Sequence, residues 1–233
     1  MKKRALCALA SLVLCVSLTG PAYAAESGVS FEVNGTSLVT EFATKVENEM
    51  TYVSYWPIVQ ALYPEAVAVW NNGQAEVTAP GLKLQIAPGA KYIVANGRYL
   101  YVPDGVKLEN GVVLVPVRTL CQALGAKVVW NGAESVIEIT SGSGPIASGD
   151  SFYDQEDLYW LSRIIYAESG NQSLEGKIAV GNVVLNRVAS PQFPNSVYSV
   201  IFQRNQFTPA SNGRINRTPT VECVIAAKLA MEG

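Results

Sequence analysis

The chain of 233 residues contains no histidine. That absence excludes a Ser-His-Asp triad, a Cys-His pair, an HExxH zinc site, and copper or haem held by imidazole. Cysteine is scarce as well. Cys7 and Cys15 fall near the N-terminus, and Cys121 and Cys223 lie far apart in apolar runs. Two such residues do not make a disulfide framework, and both are expected to be buried thiols. Charged residues make up only 15% of the chain, 17 basic and 19 acidic. Lys2, Lys3 and Arg4 account for three of the basic ones, which leaves 14 against 19 beyond them. An overall basic surface for nonspecific nucleic-acid binding is therefore not expected. The acidic residues do not show calcium-loop spacing, so no metal and no cofactor is expected. Long apolar runs are missing except for residues 5–18, which is too short for a typical membrane span.

That one run has a different reading. It follows Lys2-Lys3-Arg4, is broken by Gly20-Pro21, and leads to Ala22-Tyr23-Ala24. A positive start, an apolar centre and small residues at the end make residues 1–24 a signal peptide, cleaved after Ala24. The mature protein is expected to be secreted, with no stable membrane insertion after cleavage.

The remainder divides at residues 141–151, where Ser141-Gly142-Ser143-Gly144-Pro145 begins a Gly/Ser-rich stretch expected to be a flexible linker. Before it, residues 25–140 read as β-rich α+β. Phe31-Glu32-Val33 runs into an Asn34-Gly35 turn, and Asn96-Gly97 signals a tight hairpin. Two blocks resemble each other. The first runs from Tyr52-Val53 through Gln60-Ala61-Leu62 to Trp70-Asn71, the second from Leu114-Val115 through Gln122-Ala123-Leu124 to Trp130-Asn131. They mark a two-copy repeat of strand, short helix and hairpin. Trp70 and Trp130, at equivalent positions, are expected in the core, with stacking on sugars as the alternative.

After the linker, residues 152–233 read as mostly helical. Leu158, Leu161 and Ile165 recur at helical spacing, and Glu168 is the next position on that face. Partial burial there would raise its pKa and leave a proton available for acid-catalysed glycoside cleavage. Ser173 suits the N-cap of a following helix, with Glu175 in its first turn. That helix is apolar nearly all round and is expected to be buried. Asn182 and Asn186, four apart on it, are then buried amides that brace the site or touch a ligand. Thr218-Pro219 reads as N-cap and N1 of a last helix, on which Glu222 is a surface charge.

Several pieces of this region occur together in a known order. Tyr166-Ala167-Glu168, Glu175-Gly176-Lys177-Ile178-Ala179-Val180, Val184-Leu185-Asn186-Arg187-Val188, Phe193-Pro194 and Gln206-Phe207 resemble the SleB/CwlJ-type cell-wall hydrolases. The resemblance covers residues 156–233. It implies a small, mostly α, lysozyme-like domain that acts on peptidoglycan glycan strands, notably of spore cortex. It implies Glu168 as the catalytic acid and places Gln206 and Phe207 near the glycan groove; Asn186 joins them as a substrate contact. This chain has Gln172 where family members often carry an acidic residue. Members also continue past the last helix, which leaves a partial reading frame and a shortened member both open at Gly233.

The N-terminal half resembles the module named after the N-terminal domain of copper amine oxidases, through Val33-Asn34-Gly35, Val115-Pro116-Val117-Arg118, Leu124-Gly125-Ala126 and Val129-Trp130. The second block fits that pattern well. The first is degenerate, with Trp56-Pro57 where the pattern has Arg. Such modules accompany wall-active domains, which leaves a rigid spacer and a wall-binding role both open. The expected protein is a lytic transglycosylase of the secreted, wall or spore-envelope compartment, cleaving between N-acetylmuramic acid and N-acetylglucosamine. A muramidase-type hydrolase and a non-catalytic wall-binding protein are the alternatives.

Overall fold

The computed structural model describes residues 29–38 and 43–233. The expected signal peptide and its cleavage site lie outside the described residues. In chain order, β1 (Ser30–Val33), β2 (Thr36–Ser37), β3 (Thr44–Glu47) and β4 (Met50–Ser54) lead into α1 (Tyr55–Leu62). Five strands follow: β5 (Val67–Asn71), β6 (Gln74–Ala79), β7 (Leu82–Ile86), β8 (Tyr92–Ala95) and β9 (Arg98–Tyr101). Next come β10 (Lys107–Glu109), β11 (Val112–Pro116), α2 (Val117–Ala123), β12 (Lys127–Asn131) and β13 (Val136–Thr140). The rest is helical: α3 (Gly149–Phe152), α4 (Gln155–Ser169), α5 (Leu174–Ala189), α6 (Val197–Ile201), α7 (Thr208–Ser211), a 3-10 turn (Arg214–Asn216) and α8 (Val221–Glu232).

The architecture is thus a β-rich part followed by a helical part. Strand order is β12-β13-β1-β2 in one sheet, β10-β11-β4-β3 in a second and β5-β6-β7-β8-β9 in a third. Alternation writes the third sheet. Leu82, Leu84 and Ile86 on β7 face inward with Ala75 and Val77 of β6 and Ile93 and Ala95 of β8, as a period of two requires. Asn96 and Gly97 both take positive φ, at 50° and 80°, and close the β8–β9 hairpin. The opening strands of the two similar blocks, β4 and β11, pair with each other, Val53 opposite Val115. Their side chains, with Tyr52, Ile58, Leu120 and Ile139, form one core.

Trp70 and Trp130 do not join that core. They are 59% and 50% exposed. Both stand on edge strands, β5 and β12. Ala68 and Val128, two residues earlier on the same faces, still pack against the core. The tryptophans come after the core has ended.

The helical part has its own core, from Leu161, Ile164 and Ile165 of α4, Val184 of α5, Val200 and Ile201 of α6, and Cys223, Ala226 and Ala227 of α8. Cys121 and Cys223 are both buried free thiols. Gly181 lets α5 approach its neighbours: a Cβ there would stand 2.8 Å from the Ala230 Cβ and 3.2 Å from the Ile165 Cδ1. Burial all round α5, however, does not occur. Only Lys177, Gly181 and Val184 are buried, while Asn182, Val183 and Asn186 are exposed. One side of α5 meets α4 and α8, and the other meets solvent. The last helix also begins later than expected. Thr220, and not Thr218, is its N-cap, accepting a hydrogen bond from the Cys223 N–H.

Residues 141–151, expected to be a flexible linker, are tied to the β-rich part. Ser141 N donates to Asn34 Oδ1 (2.9 Å), Asn96 Nδ2 donates to the Ile146 carbonyl (2.8 Å), and Gly149 N donates to the Asn96 carbonyl (2.8 Å). Its glycines permit backbone contact instead of slack: a Cβ on Gly142 would fall 2.1 Å from the Gly125 oxygen.

The two parts then dock. Arg98 Nε and Nη2 donate to the two carboxylate oxygens of Glu232 at 2.9 and 2.6 Å. The Tyr153 hydroxyl donates to Glu232 (2.7 Å) and accepts from the Tyr99 N–H (3.0 Å). Burial and that carboxylate push the Tyr153 phenol well above its ordinary pKa. Lys228 lies over the rings of Tyr99 and Tyr153, at 5.0 and 5.2 Å.

Candidate active site

The site residues hang on α4. Asp154 caps its start, its carboxylate accepting from the N–H groups of Glu156 and Asp157, both at 2.9 Å, which satisfies two otherwise unpaired donors. Leu161, Ile164 and Ile165 then seat the helix on the core. Its last turn is pinned by Ser169, whose hydroxyl donates to the Ile165 carbonyl at 2.8 Å.

Glu168 sits in that last turn and is exposed. The expected partial burial is absent. Ile165 is the last residue of the apolar stripe that the core covers; after it, the buried positions are Ala167 and Ser169. Glu168 points away from both. Arg214 Nη2 donates to the Ala167 carbonyl at 3.0 Å, so the 3-10 turn is drawn against the C-terminal end of α4. A cation suits that end, where backbone carbonyls lack partners.

The turn that follows Glu168 is held by Lys177, a residue the sequence reading passed over. Lys177 is 3% exposed, and its Nζ donates to the Gln172 carbonyl at 2.9 Å and to the carboxylate of Glu222. Its place was legible: Lys177, Gly181 and Val184 form the buried stripe of α5 at helical spacing. Ser173 caps α5 as expected, accepting from the Gly176 N–H.

Glu175 is bound to the other part of the molecule, through an ion pair with Lys91. That pairing, its own N–H and the Ser173 hydroxyl lower its carboxyl to about 2. Glu175 and Glu222 are therefore both committed to lysines. Among the described residues, Glu168 has no ion pair.

The expected binding residues are placed unevenly. Phe207 is half-buried and packs on the helical core. The Arg187 guanidinium stands 5.2 Å from the ring centres of both Phe207 and Phe193. Asn186 and Gln206 are exposed, so the expected burial of the Asn182 and Asn186 amides fails with that of α5. A cavity of about 400 Å³ opens beside Gln206, lined by Phe202, Asn205, Phe207 and Thr208 among others. Among the described residues, no hydrogen bond joins Glu168 to Asn186, Gln206 or Phe207. Arg187 stood inside a motif of the resemblance without a role of its own, and Arg214 carried no sequence signal beyond its charge. Among the described residues, no helix is long and apolar enough to cross a membrane.

Comparison with known proteins bears on both parts. Residues 171–233, starting just after Glu168, match the Cell Wall Hydrolase family, and residues 32–141 match the Copper amine oxidase N-terminal domain. A spore cortex-lytic enzyme of Bacillus cereus is 38% identical over 81 residues, 35% of this chain and 31% of the relative. One of Bacillus subtilis (strain 168) is 39% identical over 67 residues, 29% of this chain and 22% of the relative. The matches thus span about a third or less of those relatives. Among solved structures, the catalytic domain of the germination-specific lytic transglycosylase SleB from Bacillus anthracis is 36% identical, with 38% of this chain and 70% of that one covered and a TM-score of 0.34. The catalytic domain of Bacillus cereus SleB is 36% identical, with 40% and 71% covered and a TM-score of 0.33.

Proposed function

With a cell wall hydrolase domain and a copper amine oxidase N-terminal-like domain in one chain, we propose that this protein degrades peptidoglycan by cleaving its glycan strand. The bond is that between N-acetylmuramic acid and N-acetylglucosamine, and the reaction is lytic transglycosylation. Glu168 donates a proton to the bridging oxygen as the bond to the muramic C1 breaks. The resulting oxocarbenium-like centre is attacked by the C6 hydroxyl of the same sugar. Glu168, now ionised, accepts the proton of that hydroxyl, and a 1,6-anhydro ring closes. One carboxyl serves in turn as acid and base. The observation that carries this reading is the state of the three candidate carboxylates. Glu175 and Glu222 are paired with Lys91 and Lys177, while Glu168 is exposed at the end of α4. A hydrolase that positions a water usually calls on a second carboxylate, and neither of the other two is free for it.

In this reading Asn186, Gln206 and Phe207 line the strand, with Arg187 holding Phe207. The domain is a lysozyme-like one, over residues 152–233. The two blocks of the module, residues 25–140, are copies of one unit. The leader directs the protein outside the membrane, to the wall or spore envelope, and spore cortex is the favoured substrate by likeness to the cortex-lytic relatives.

Glu168→Gln keeps the shape and removes the transferable proton. General acid–base groups contribute about 10²–10⁴-fold, so release of soluble fragments from purified cortex should fall by that range. Mass spectrometry of the parent's products should show anhydro-muramyl ends, lighter by one water than reducing ends. Full activity in the variant would remove the site; reducing ends alone would replace transglycosylation by hydrolysis.

A further inference from the structure

The module carries a groove that the cleavage chemistry does not use. It has a volume of about 530 Å³ and lies between the β3–β4 turn, the start of α2 and the edge strand β12. Its floor is apolar, from Met50, Val128 and Ile137. Its rim is not. Trp130 presents a half-exposed indole, Arg118 is exposed without an ion pair among the described residues, and Glu49, also on the groove, is exposed in the left-handed region (φ 62°).

An apolar ligand would strip water from Arg118 and Glu49 and give nothing back, which is costly. A sugar fits the set better. Its flat C–H face covers an indole, and its hydroxyl and acetamido groups supply both donors and acceptors to the rim. Arg118 adds a preference, because a guanidinium binds a carboxylate through two parallel hydrogen bonds. The first block supplies an internal contrast. Its Trp70 is equally exposed, but Trp56 stands where the second block has Arg118.

We propose that the groove formed by Trp130, Arg118 and Glu49 is a second, non-catalytic binding site for a carboxylate-bearing glycan, namely a muramic-acid unit of peptidoglycan. Trp130 stacks on the sugar ring, Glu49 accepts from its hydroxyl or amide N–H groups, and Arg118 pairs with the carboxylate of the lactyl ether or stem peptide. The site holds the module to the wall while the helical domain works elsewhere on the strand. The choice of ligand rests on the peptidoglycan reading above, so its test measures binding and not cleavage.

The test is co-sedimentation of the full chain, in the Glu168→Gln background, with purified insoluble peptidoglycan and, separately, with chitin, which lacks the carboxylate. Trp130→Ala and Arg118→Gln should each weaken sedimentation with peptidoglycan about tenfold or more, the size expected for losing a charged hydrogen bond or a stacked ring. Trp130→Phe should restore most of it, and Trp70→Ala should change it little. The parent should bind chitin about tenfold more weakly than peptidoglycan, and Arg118→Gln should narrow that gap. Thermal unfolding of each variant separates lost binding from lost fold. Parent-like binding by both Trp130→Ala and Arg118→Gln overturns the site. So does an equal loss in Trp70→Ala, and equal affinity for chitin and peptidoglycan overturns the carboxylate assignment. Release of soluble fragments by the wild-type chain is read independently, so failure of the groove and failure of the cleavage reading remain distinguishable.

Discussion

The β-rich module keeps its internal ion pairs near the surface, where Lys45 and Glu47 of β3 meet Lys107 and Glu109 of β10, the two edge strands of one sheet, with side chains 22–40% exposed. The helical domain also holds two charges inside. Lys177 is 3% exposed at its ion pair, and the Glu232 side chain is 5% exposed where it meets Arg98. The module can leave its charges in water because alternation and strand pairing already fix its register. The helical domain has a smaller core, rich in alanine along α8. Apolar contact alone leaves such helices free to slide, and buried charges with directed hydrogen bonds set where they stop. Surface pairs add little stability, while breaking a buried pair is costly.

The largest effect expected from this difference is at Glu232. Replacing it with alanine leaves Arg98, 12% exposed, facing Tyr153 and Phe152 with no counter-charge. Loss of one partner of a buried pair costs about 3 kcal/mol. Calorimetry should show the helical and β-rich parts melting at separate temperatures. A single transition at the parent temperature would mean that other contacts hold the interface.

Lys177→Met should cost less. The substitution keeps length and apolar volume, which cores tolerate to within about 1.5 kcal/mol, and Glu222 is open to water on its own. What is lost is the clamp on the Gln172 carbonyl. Amide exchange in residues 170–173 should quicken while the midpoint of chemical unfolding moves little. Unchanged exchange there would remove Lys177 from the support of the turn after Glu168.

The smallest effect belongs to Lys91 and Glu175, an exposed pair bridging the two parts. The pair depresses the Glu175 carboxyl to about 2, so its contribution is complete above the unfolded carboxyl value of about 4.3. It fades as pH falls toward about 2. Acid titration of parent and Glu175→Gln should therefore differ slightly at neutral pH and converge at the acid end. Salt should shrink the difference. A gap that widens with acid would contradict the pairing.

Much of the local structure was legible because it is made locally. Ser173 caps α5, Asn96-Gly97 turns the β8–β9 hairpin, and Leu161 and Ile165 face the core, each through neighbours a few residues away. The candidate site was legible in part. Glu168 stood out by its place in a motif, but its exposure did not follow from its spacing. Lys177 could have been found on the buried stripe of α5. Arg214 could not, since it meets α4 across 47 residues of chain.

The sequence by itself determined the division into a β-rich and a helical part, the excluded chemistries of a chain without histidine, and the cap of α5 at Ser173. Those follow from residue type and from periods of two and 3.6, which are carried by the backbone wherever it folds. Only the tertiary structure decided what each face meets. It left Glu168, Asn186 and Trp130 in solvent, laid the Gly-rich connector against the module, and gave Glu175 a partner from the other half of the chain. Burial depends on the element that packs opposite, and a spacing pattern names a face without naming what covers it.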